Sequence, residues 1–291
     1  MKLGYYPGCS LHSTAAEYNM ATEAVFDALG LELAELPEWN CCGATAGHST
    51  DRFLALALPL RNLIIAEAEQ QKELVLPCAA CYNLVKGADH YCREGTPEAQ
   101  DANEELKSIM GSSYNGTVHV THPLEVIMRK EYIGKVGEKV KKPLKGLKLA
   151  PYYGCLLTRP TYVAFDDVEQ PQAMDQLMKL AGADVKRWSY KTDCCGGSLT
   201  VPRTDVVYEI TKNLVTAAQR AGADAIVTAC PLCQMTLETR QKEIQKPIPI
   251  FFFTEFFTEL LGISFGHPEA KKWMKKHIVD PIPLLTSLQL L

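Results

Sequence analysis

The amino-acid sequence predicts an α/β fold made of two homologous lobes related by a pseudo-twofold axis. Ten of the 11 cysteines form two series with the same order: a single cysteine, an adjacent pair and a C-x-x-C motif. The flanking segments repeat as well, as in NCCGATAG and DCCGGSLT or LVLPCAAC and IVTACPLC. A matched repeat of this kind indicates an internal duplication. We therefore predict an N-terminal domain over residues 1–145 and a C-terminal domain over residues 146–291.

Each half alternates short apolar runs with amphipathic stretches. In the first half, the predicted strands are KLGYYPG, LELAEL, ELVLP and TVHVTHP, and the predicted helices are Ala15–Leu29, Asp51–Gln71 and a stretch containing Cys81. The second half repeats this order with the strands KLAPYYG, DVKRW, DAIVTA and PIPIFFF and the helices Gln172–Leu180 and Thr204–Arg220. This alternation is typical of βαβ units and predicts two Rossmann-like lobes with parallel sheets.

The predicted elements place the cysteines at one edge of each sheet. Cys9, Cys78, Cys155 and Cys230 follow the C-terminal ends of strands, where open parallel sheets collect their ligands. The adjacent pairs and the C-x-x-C motifs fall at turns into helices, whose free N–H groups stabilise thiolates and anionic clusters. Glycines follow both pairs and predict a close approach of backbone to a bound group. These are Gly43, Gly196 and Gly197.

The predicted join between the halves is Arg129–Lys148, which carries eight Lys or Arg residues against two Glu. Such a charge run predicts a solvated linker. The alternative is a basic patch that attracts an anionic substrate or docks a partner.

Composition and charge exclude several classes of protein. Hydrophobic residues make up 47% of the chain and the formal charge is −4, which argues against a dedicated nucleic-acid-binding protein. The N-terminal segment has no apolar run of the kind found in signal peptides. The stretch PIPIFFFTEFFTELLGI contains Glu255 and Glu259 and is shorter than the roughly 20 apolar residues of a membrane span. We predict a cytoplasmic protein, in which ordered cysteines indicate metal or redox chemistry rather than disulfides.

Five thiolates in each half favour a soft metal centre. Zinc, copper(I) and iron–sulfur clusters all bind thiolates. A structural zinc site takes four ligands and would leave one cysteine over in each half. Adjacent cysteines bridge different irons of one cluster more easily than they share one metal ion, so an unusual iron–sulfur cluster is favoured over zinc or over cysteines that merely pack. Cys92 has no counterpart in the second half and is predicted to be a packed or surface thiol.

These motifs resemble the cysteine-rich CCG domain family, whose pattern is a cysteine, then CCG, then C-x-x-C. Two complete copies without a ferredoxin module closely resemble the family of B subunits of the soluble heterodisulfide reductases of methanogenic archaea. The resemblance implies one non-cubane [4Fe–4S] cluster in each half. It places the first cluster on Cys9, Cys41, Cys42, Cys78 and Cys81, and the second on Cys155, Cys194, Cys195, Cys230 and Cys233.

The resemblance also implies an activity. It is the reduction of the coenzyme M–coenzyme B heterodisulfide (CoM-S-S-CoB) to two thiols, with one electron delivered by each cluster. The chain has no G-x-G-x-x-G fingerprint, so electrons must come from partners. The implied partners are the flavin-containing and the ferredoxin-like subunits of heterodisulfide reductase, linked to a hydrogenase or formate dehydrogenase in an electron-bifurcating complex of methanogenesis. The alternative is an electron-relay iron–sulfur subunit of a hydroxy-acid oxidase or a thiol:fumarate reductase.

Other residues of the site carry no motif. Candidate proton donors are His12, His48, His119, His122, Tyr5, Tyr6, Tyr152 and Tyr153, and candidate partners for substrate anions are Arg159, Arg187 and Arg203. A structural or surface role is the simpler expectation for each proton-donor candidate, and the sequence does not choose among the arginines. The apolar tail PIPLLTSLQLL is predicted either to dock a partner protein or to pack on its own domain.

Overall fold

The computed structural model describes residues 1–44, 47–140, 142–257 and 274–291. It confirms the predicted pair of α/β lobes, each with a four-stranded parallel sheet. The first sheet contains β1 (Lys2–Tyr5), β2 (Glu32–Glu35), β3 (Glu73–Val75) and β4 (His119–Thr121). The second contains β5 (Lys148–Tyr152), β6 (Asp184–Val185), β7 (Ala225–Thr228) and β8 (Ile250–Phe252). The spatial orders, β2-β1-β3-β4 and β6-β5-β7-β8, are the same.

Helices connect the strands. The first lobe contains α1 (Gly8–Leu11), α2 (Ala16–Ala28), α3 (Gly47–Thr50), α4 (Arg52–Ala68), α5 (Ala79–Glu94), α6 (Pro97–Met110), α7 (Pro123–Ile127) and α8 (Lys130–Lys139). The second contains α9 (Ala173–Leu180), a 3-10 turn (Gly197–Leu199), α10 (Thr204–Arg220), α11 (Pro231–Thr239) and α12 (Ile282–Ser287). The predicted helix over Asp51–Gln71 begins where the Asp51 side chain accepts a hydrogen bond from Leu54 N at 3.0 Å, an N-cap that satisfies a free N–H.

The strand order explains why the cysteines meet. β1 pairs with β2 on one side and with β3 on the other, and β5 is placed in the same way in the second sheet. The first connection of each lobe therefore leads to one side of the central strand, and the next leads to its other side. The change of side falls between β1 and β3 in the first sheet and between β5 and β7 in the second. Loops leaving the C-terminal ends of the strands on either side of such a point enclose a crevice. The cysteines that follow β1, β3, β5 and β7 all lie on these loops.

Several helices are not predicted by the sequence, among them α6, α7 and α8. α6 has few large apolar residues and buries only small ones and Leu106, although Pro97 at its first turn and Gly111 after its end mark its bounds. α7 and α8 follow β4 directly, and α8 lies inside the segment for which the charge run predicts a solvated linker. That prediction is wrong for residues 130–139. Tyr132 and Val136 are buried, and Arg129 forms an ion pair with Glu73.

The two lobes share one hydrophobic core. Tyr18 of α2 stacks on Phe252 of β8, with the ring centroids 4.2 Å apart, and Tyr82 OH donates a hydrogen bond to Val163 O at 2.7 Å. The tail packs on its own chain, since Leu285 and Leu290 are buried. No helix within the described ranges is both long and apolar enough to cross a membrane. Glu259 and the end of the PIPIFFFTEFFTELLGI stretch lie outside those ranges.

Candidate functional site

The first sulfur site consists of the five repeated cysteines of the N-terminal lobe: Cys9, Cys41, Cys42, Cys78 and Cys81. Cys9 lies in α1 after β1, and Cys78 is the N-cap residue of α5 after β3. The Sγ atoms of Cys42 and Cys81, 39 residues apart in sequence, are 3.2 Å apart. Those of Cys9 and Cys41 are 3.9 Å apart. The fold therefore brings members of all three motifs together.

The second sulfur site has the same construction. It consists of Cys155, Cys194, Cys195, Cys230 and Cys233. Cys230 is the N-cap residue of α11, as Cys78 is of α5. All five line one cavity, and neighbouring thiols shift each other's pKa, Cys155 with Cys194 and Cys233 with Cys230. Each lobe thus presents one set of five cysteines at the C-terminal edge of its sheet.

The two sulfur sites lie side by side. His122 Nε2 is 3.0 Å from Pro77 O and 3.3 Å from Ala229 O, and these residues directly precede Cys78 of the first lobe and Cys230 of the second. The two cysteines are close enough for each to shift the pKa of the other. Both cap helices, so the positive ends of α5 and α11 come together here. The sequence carries no signal for this arrangement, because it depends on how the lobes pack.

Each adjacent pair has one outer and one inner cysteine. Cys41 and Cys194 are exposed, whereas Cys42 and Cys195 are buried. The exposed sulfurs accept backbone hydrogen bonds in equivalent places, from Gly43 N at 3.5 Å and from Gly196 N at 3.3 Å. Such donors favour the thiolate over the thiol. The two lobes therefore repeat this backbone contact, but not the electrostatics of the pair: the pKa of Cys41 is raised by its hydrogen bond to Cys42, whereas the pKa of Cys194 is lowered by its hydrogen bond to Cys155.

Hydrogen bonds among the thiols shift their pKa values. Hydrogen bonds from Cys41 and then Cys81 lower the pKa of Cys42 to about 4. A hydrogen bond from Cys155 lowers the pKa of Cys194 to about 6. Hydrogen bonds from Cys233 and Cys78 place the pKa of Cys230 well below its usual range. At least one sulfur of each site is thus a thiolate near neutral pH, and thiolates are the form that binds metal.

Two buried tyrosines hold the loops that carry the adjacent pairs. Tyr6 OH donates to Asn40 O at 2.8 Å, directly before Cys41. Tyr152 OH donates to Asp193 O at 2.6 Å, directly before Cys194. Burial raises the pKa of both hydroxyls, which keeps them protonated as donors. Both hydroxyls therefore position the loops of the adjacent pairs.

The two equivalent tyrosines are expected to differ when changed to phenylalanine. Asn40 O also accepts from Asn62 Nδ2 at 2.9 Å, whereas Asp193 O has Tyr152 as its one partner among the described residues. Tyr152→Phe leaves that carbonyl unpaired and should cost about 1–3 kcal/mol of unfolding free energy, and Tyr6→Phe under about 1 kcal/mol. Denaturant unfolding of the two variants measures this. Equal losses would contradict the role assigned to Asn62.

Two glycines, Gly8 and Gly154, allow the backbone to pass close to sulfur. Each directly precedes the first cysteine of its site and has a positive φ, +71° and +67°. A Cβ at Gly8 would lie 3.0 Å from Cys81 Sγ, and one at Gly154 would lie 3.3 Å from Cys233 Sγ. The backbone thus passes close to sulfur at these two glycines as well as at Gly43 and Gly196, whose N–H groups donate to Cys41 and Cys194. A Cβ at Gly43, Gly196 or Gly197 would first meet Leu58, Ile210 or Leu232, respectively.

Gly8→Ala is expected to disrupt the first site, and Gly111→Ala is its matched control. Gly111 has a φ of +78°, but no atom lies within 4 Å of the position that a Cβ would occupy. Gly111→Ala should therefore cost only the backbone strain, about 1–2 kcal/mol. Gly8→Ala should cost more and also lower the metal bound per chain, because the new methyl group displaces Cys81. Metal analysis and unfolding of both variants check this, and identical behaviour would refute it.

A cavity of about 400 Å³ adjoins the sulfur sites. All five cysteines of the second site line it, together with Ala79 and Ala80 of the first C-x-x-C motif. His48, Asn83 and Leu84 line both this cavity and a neighbouring groove of about 820 Å³. The groove also contains Arg52, Phe53 and Tyr162. A small molecule in the cavity would lie against the second site and beside the first.

The histidine candidates have different surroundings. His12 is exposed, 3.1 Å from Glu35, and His119 is exposed beside Glu125. His48 lines the cavity and remains a candidate. His122 is fully buried between the lobes.

The remaining candidates have partners or lie elsewhere. Tyr5 OH donates to Asn19, and Tyr153 OH donates to Asp175, which Lys191 also contacts. Arg159 pairs with Glu169 and Arg203 with Asp205, while Arg187 lines a separate pocket with Lys212 and Arg220. None of the three arginines is among the residues that line the cavity. Arg52, in the groove, is missed by sequence reasoning, since nothing in its sequence context marks it.

The donor set fits a soft metal centre. Within the described ranges, no three Cys, His, Asp or Glu side chains are arranged around one metal-ion position. Sulfur atoms instead adjoin one another, receive backbone N–H groups and sit at helix N-termini. Soft thiolates with these neighbours suit an iron–sulfur cluster, whose sulfur atoms accept hydrogen bonds from N–H donors. Cys92 lies outside both sites, and burial raises its pKa to about 11.

Comparisons with known proteins agree with these features. The chain is 29% identical to the 8-methylmenaquinol:fumarate reductase membrane anchor subunit of Wolinella succinogenes, over 97% of this chain and 99% of that one. It is 26% identical to the B subunit of the ferredoxin:CoB-CoM heterodisulfide reductase of Methanosarcina mazei, over 99% and 97%. It is 20% identical to the probable glycolate oxidase iron-sulfur subunit of Bacillus subtilis, over 90% of this chain and 55% of that one.

The fold and the repeated domain are also found elsewhere. A hypothetical protein from Helicobacter pylori has a similar structure, with a TM-score of 0.71 at 14% identity, and this chain spans 51% of its length. The homology to the B subunit of heterodisulfide reductase extends over nearly the whole chain, as the resemblance implies. The cysteine-rich domain family CCG matches residues 3–86 and 149–238, one match in each lobe. The chain therefore belongs to the CCG family of cysteine-rich domains and carries two copies of its domain.

Proposed function

We propose that this protein is the catalytic subunit of a disulfide reductase that binds one non-cubane [4Fe–4S] cluster in each sulfur site. The ten repeated cysteines named above are the proposed ligands. The proposed substrate is the coenzyme M–coenzyme B heterodisulfide. The observation that carries the proposal is the cavity that all five cysteines of the second site line together with Ala79 and Ala80 of the first C-x-x-C motif, because a bound disulfide would lie against one site and beside the other.

The reaction needs two electrons and two protons for each disulfide, R–S–S–R′, and yields R–SH and R′–SH. When bound, the two clusters supply one electron each. The protein chain holds the substrate and excludes water. The cavity is lined by Leu84, Leu156 and Leu232 as well as by sulfur, so it is suited to the apolar part of a thiol cofactor. His48 faces the same space and is the proposed source of a proton.

Partner proteins deliver the electrons in this proposal. Cys9, Cys41 and Cys194 are exposed, so each site approaches the protein surface where a donor can dock. The proposed donors are the flavin-containing and the ferredoxin-like subunits of heterodisulfide reductase, with an associated hydrogenase or formate dehydrogenase, in the cytoplasm. The two domains are proposed to divide at residues 145 and 146.

A second candidate is an electron-relay role. It is favoured by the 29% identity to the fumarate reductase membrane anchor of Wolinella succinogenes, which spans almost the whole of both chains. In that case the sites pass electrons between other proteins of a complex. The cavity then takes no disulfide.

Anaerobic purification and two measurements separate the candidates. The first measurement counts iron, acid-labile sulfide and zinc per chain. The second follows the oxidation of a reduced dye in the presence of the heterodisulfide, and then of the symmetrical disulfide of coenzyme M or of coenzyme B. About eight irons and turnover of the heterodisulfide support the proposal. About eight irons without turnover of any disulfide support the relay. About two zinc ions with no iron, after loss of clusters during purification is excluded, would overturn both.

A further inference from the structure

His122 is buried where the two lobes meet, directly after β4. Its Nδ1 accepts a hydrogen bond from Leu124 N at 3.1 Å, so the ring proton is on Nε2. Nε2 lies 3.0 Å from Pro77 O and 3.3 Å from Ala229 O. Burial lowers the pKa of His122 to about 4, so the ring is neutral at physiological pH. One N–H is thus shared by two carbonyl oxygens.

These two carbonyls belong to equivalent positions of the two lobes. Pro77 directly precedes Cys78, and Ala229 directly precedes Cys230. Each cysteine begins the helix that carries its C-x-x-C motif. The imidazole therefore links the two turns that carry Cys78 and Cys230.

The ring is fixed from both lobes. Tyr82 packs at 5.7 Å between centroids, Phe165 stacks at 6.1 Å and Phe253 lies at 6.3 Å. Pro77 O also accepts from Tyr18 OH at 3.2 Å, whereas Ala229 O has His122 as its one partner among the described residues. Loss of the Nε2–H would therefore release mainly the turn of the second lobe.

We propose that His122 is a positioning residue that holds together the two turns on which Cys78 and Cys230 lie, and so sets the electronic coupling between the two sulfur sites. This inference rests on the proposed function, because coupling requires a redox centre at each site. Electron exchange weakens steeply as two centres move apart. A turn that shifts by a fraction of an ångström therefore changes the coupling before it changes the fold.

Two substitutions separate the two hydrogen bonds of His122. In His122→Gln, the amide nitrogen reaches the position of Nε2 and can donate to both carbonyls. In His122→Asn, the amide oxygen takes the place of Nδ1 and caps α7 well, but the side chain stops short of Pro77 and Ala229. His122→Gln thus retains the hydrogen bonds to the carbonyl oxygens of both lobes, whereas His122→Asn retains only the N-cap hydrogen bond from Leu124 N.

The main readout is the magnetic coupling between the two reduced clusters, measured by electron paramagnetic resonance on protein with a known iron content. We expect wild type and His122→Gln to share the same coupling. His122→Asn should retain its iron and lose at least half of the coupling. Unchanged coupling in His122→Asn would overturn the inference while leaving disulfide reduction intact.

A metal-free arm keeps the test independent of the clusters. The whole chain, stripped of iron, is treated with a thiol oxidant, and the peptide that links Cys78 to Cys230 is quantified by mass spectrometry. Its yield should fall at least fivefold in His122→Asn and stay within twofold of wild type in His122→Gln. Equal yields in all three proteins would overturn the inference. Absence of iron in the wild type would instead count against the proposed function.

Discussion

Replacing Cys42 by alanine is expected to halve the iron content, from about eight to about four atoms per chain, and to lower disulfide turnover at least about 100-fold. Cys42 is buried, its sulfur lies 3.2 Å from Cys81, and its pKa is lowered to about 4. It is thus the sulfur of the first site that is most readily a thiolate. The second site is built from separate residues and should retain its own cluster.

Cys92→Ala is the matched control for this experiment. Cys92 is half-buried in α5, outside both sites, and its raised pKa keeps it a thiol. Cys92→Ala should leave the iron content and the turnover unchanged. Iron analysis and the dye-linked assay on both variants test whether Cys42 is a cluster ligand. Full iron with full activity in the Cys42→Ala protein would show that this residue is not a ligand.

Replacing His277 by glutamine is expected to lower the free energy of unfolding by about 3–5 kcal/mol, because it removes the buried cation that lies between two buried carboxylates. His277 Nδ1 lies 2.7 Å from Glu238 Oε1, and Nε2 lies 3.0 Å from Glu255 Oε1. All three side chains are almost fully buried. Burial opposes the charged ring, but Glu255 and Glu238 outweigh it and raise the pKa of His277 to about 11.

The same group fixes the sign of the pH dependence. The folded pKa is above the ordinary value of 6.5, so the imidazolium stabilises the fold fully below about pH 6.5. This stabilisation declines above that pH and is lost as the pH rises through about 11. The difference in unfolding free energy between wild type and His277→Gln should therefore be largest near pH 6 and smaller at pH 10.

Unfolding by denaturant at several pH values measures this difference. His119→Gln is the control. His119 is exposed and its Nε2 lies as far as 3.9 Å from Glu125 Oε1, so this substitution should change the free energy of unfolding little at any pH. A difference that stays constant or widens toward pH 10 would contradict the charge assigned to His277.

The repeated cysteine pattern is enough to predict the lobes, the parallel sheets and the edge on which the sulfurs lie. These follow from local features: strand-length apolar runs, helical periodicity and the rule that loops at the C-terminal ends of strands form the site. The short strand β6 and the cap at Asp51 also fall within predicted elements, because their signals are contained in a few neighbouring residues.

The residues that hold the sites together cannot be predicted in the same way. The roles of His122, Tyr6 and Tyr152 depend on which carbonyl lies opposite each side chain after the lobes have packed. Gly8 and Gly154 are visible as repeated residues before a cysteine, and that repetition could have marked them. The closeness of the turns that carry Cys78 and Cys230 arises from the packing of the two lobes and has no local signal.

The shared core also has a consequence for the speed of electron transfer. Six of the ten sulfurs are buried, and they lie among side chains from both lobes that fill one continuous interior. A dense interior with few water molecules rearranges little when a charge moves through it. Because the lobes share this interior, they would act as one rigid medium rather than as two hinged halves. Electron transfer between the sites would then require only a small reorganisation energy.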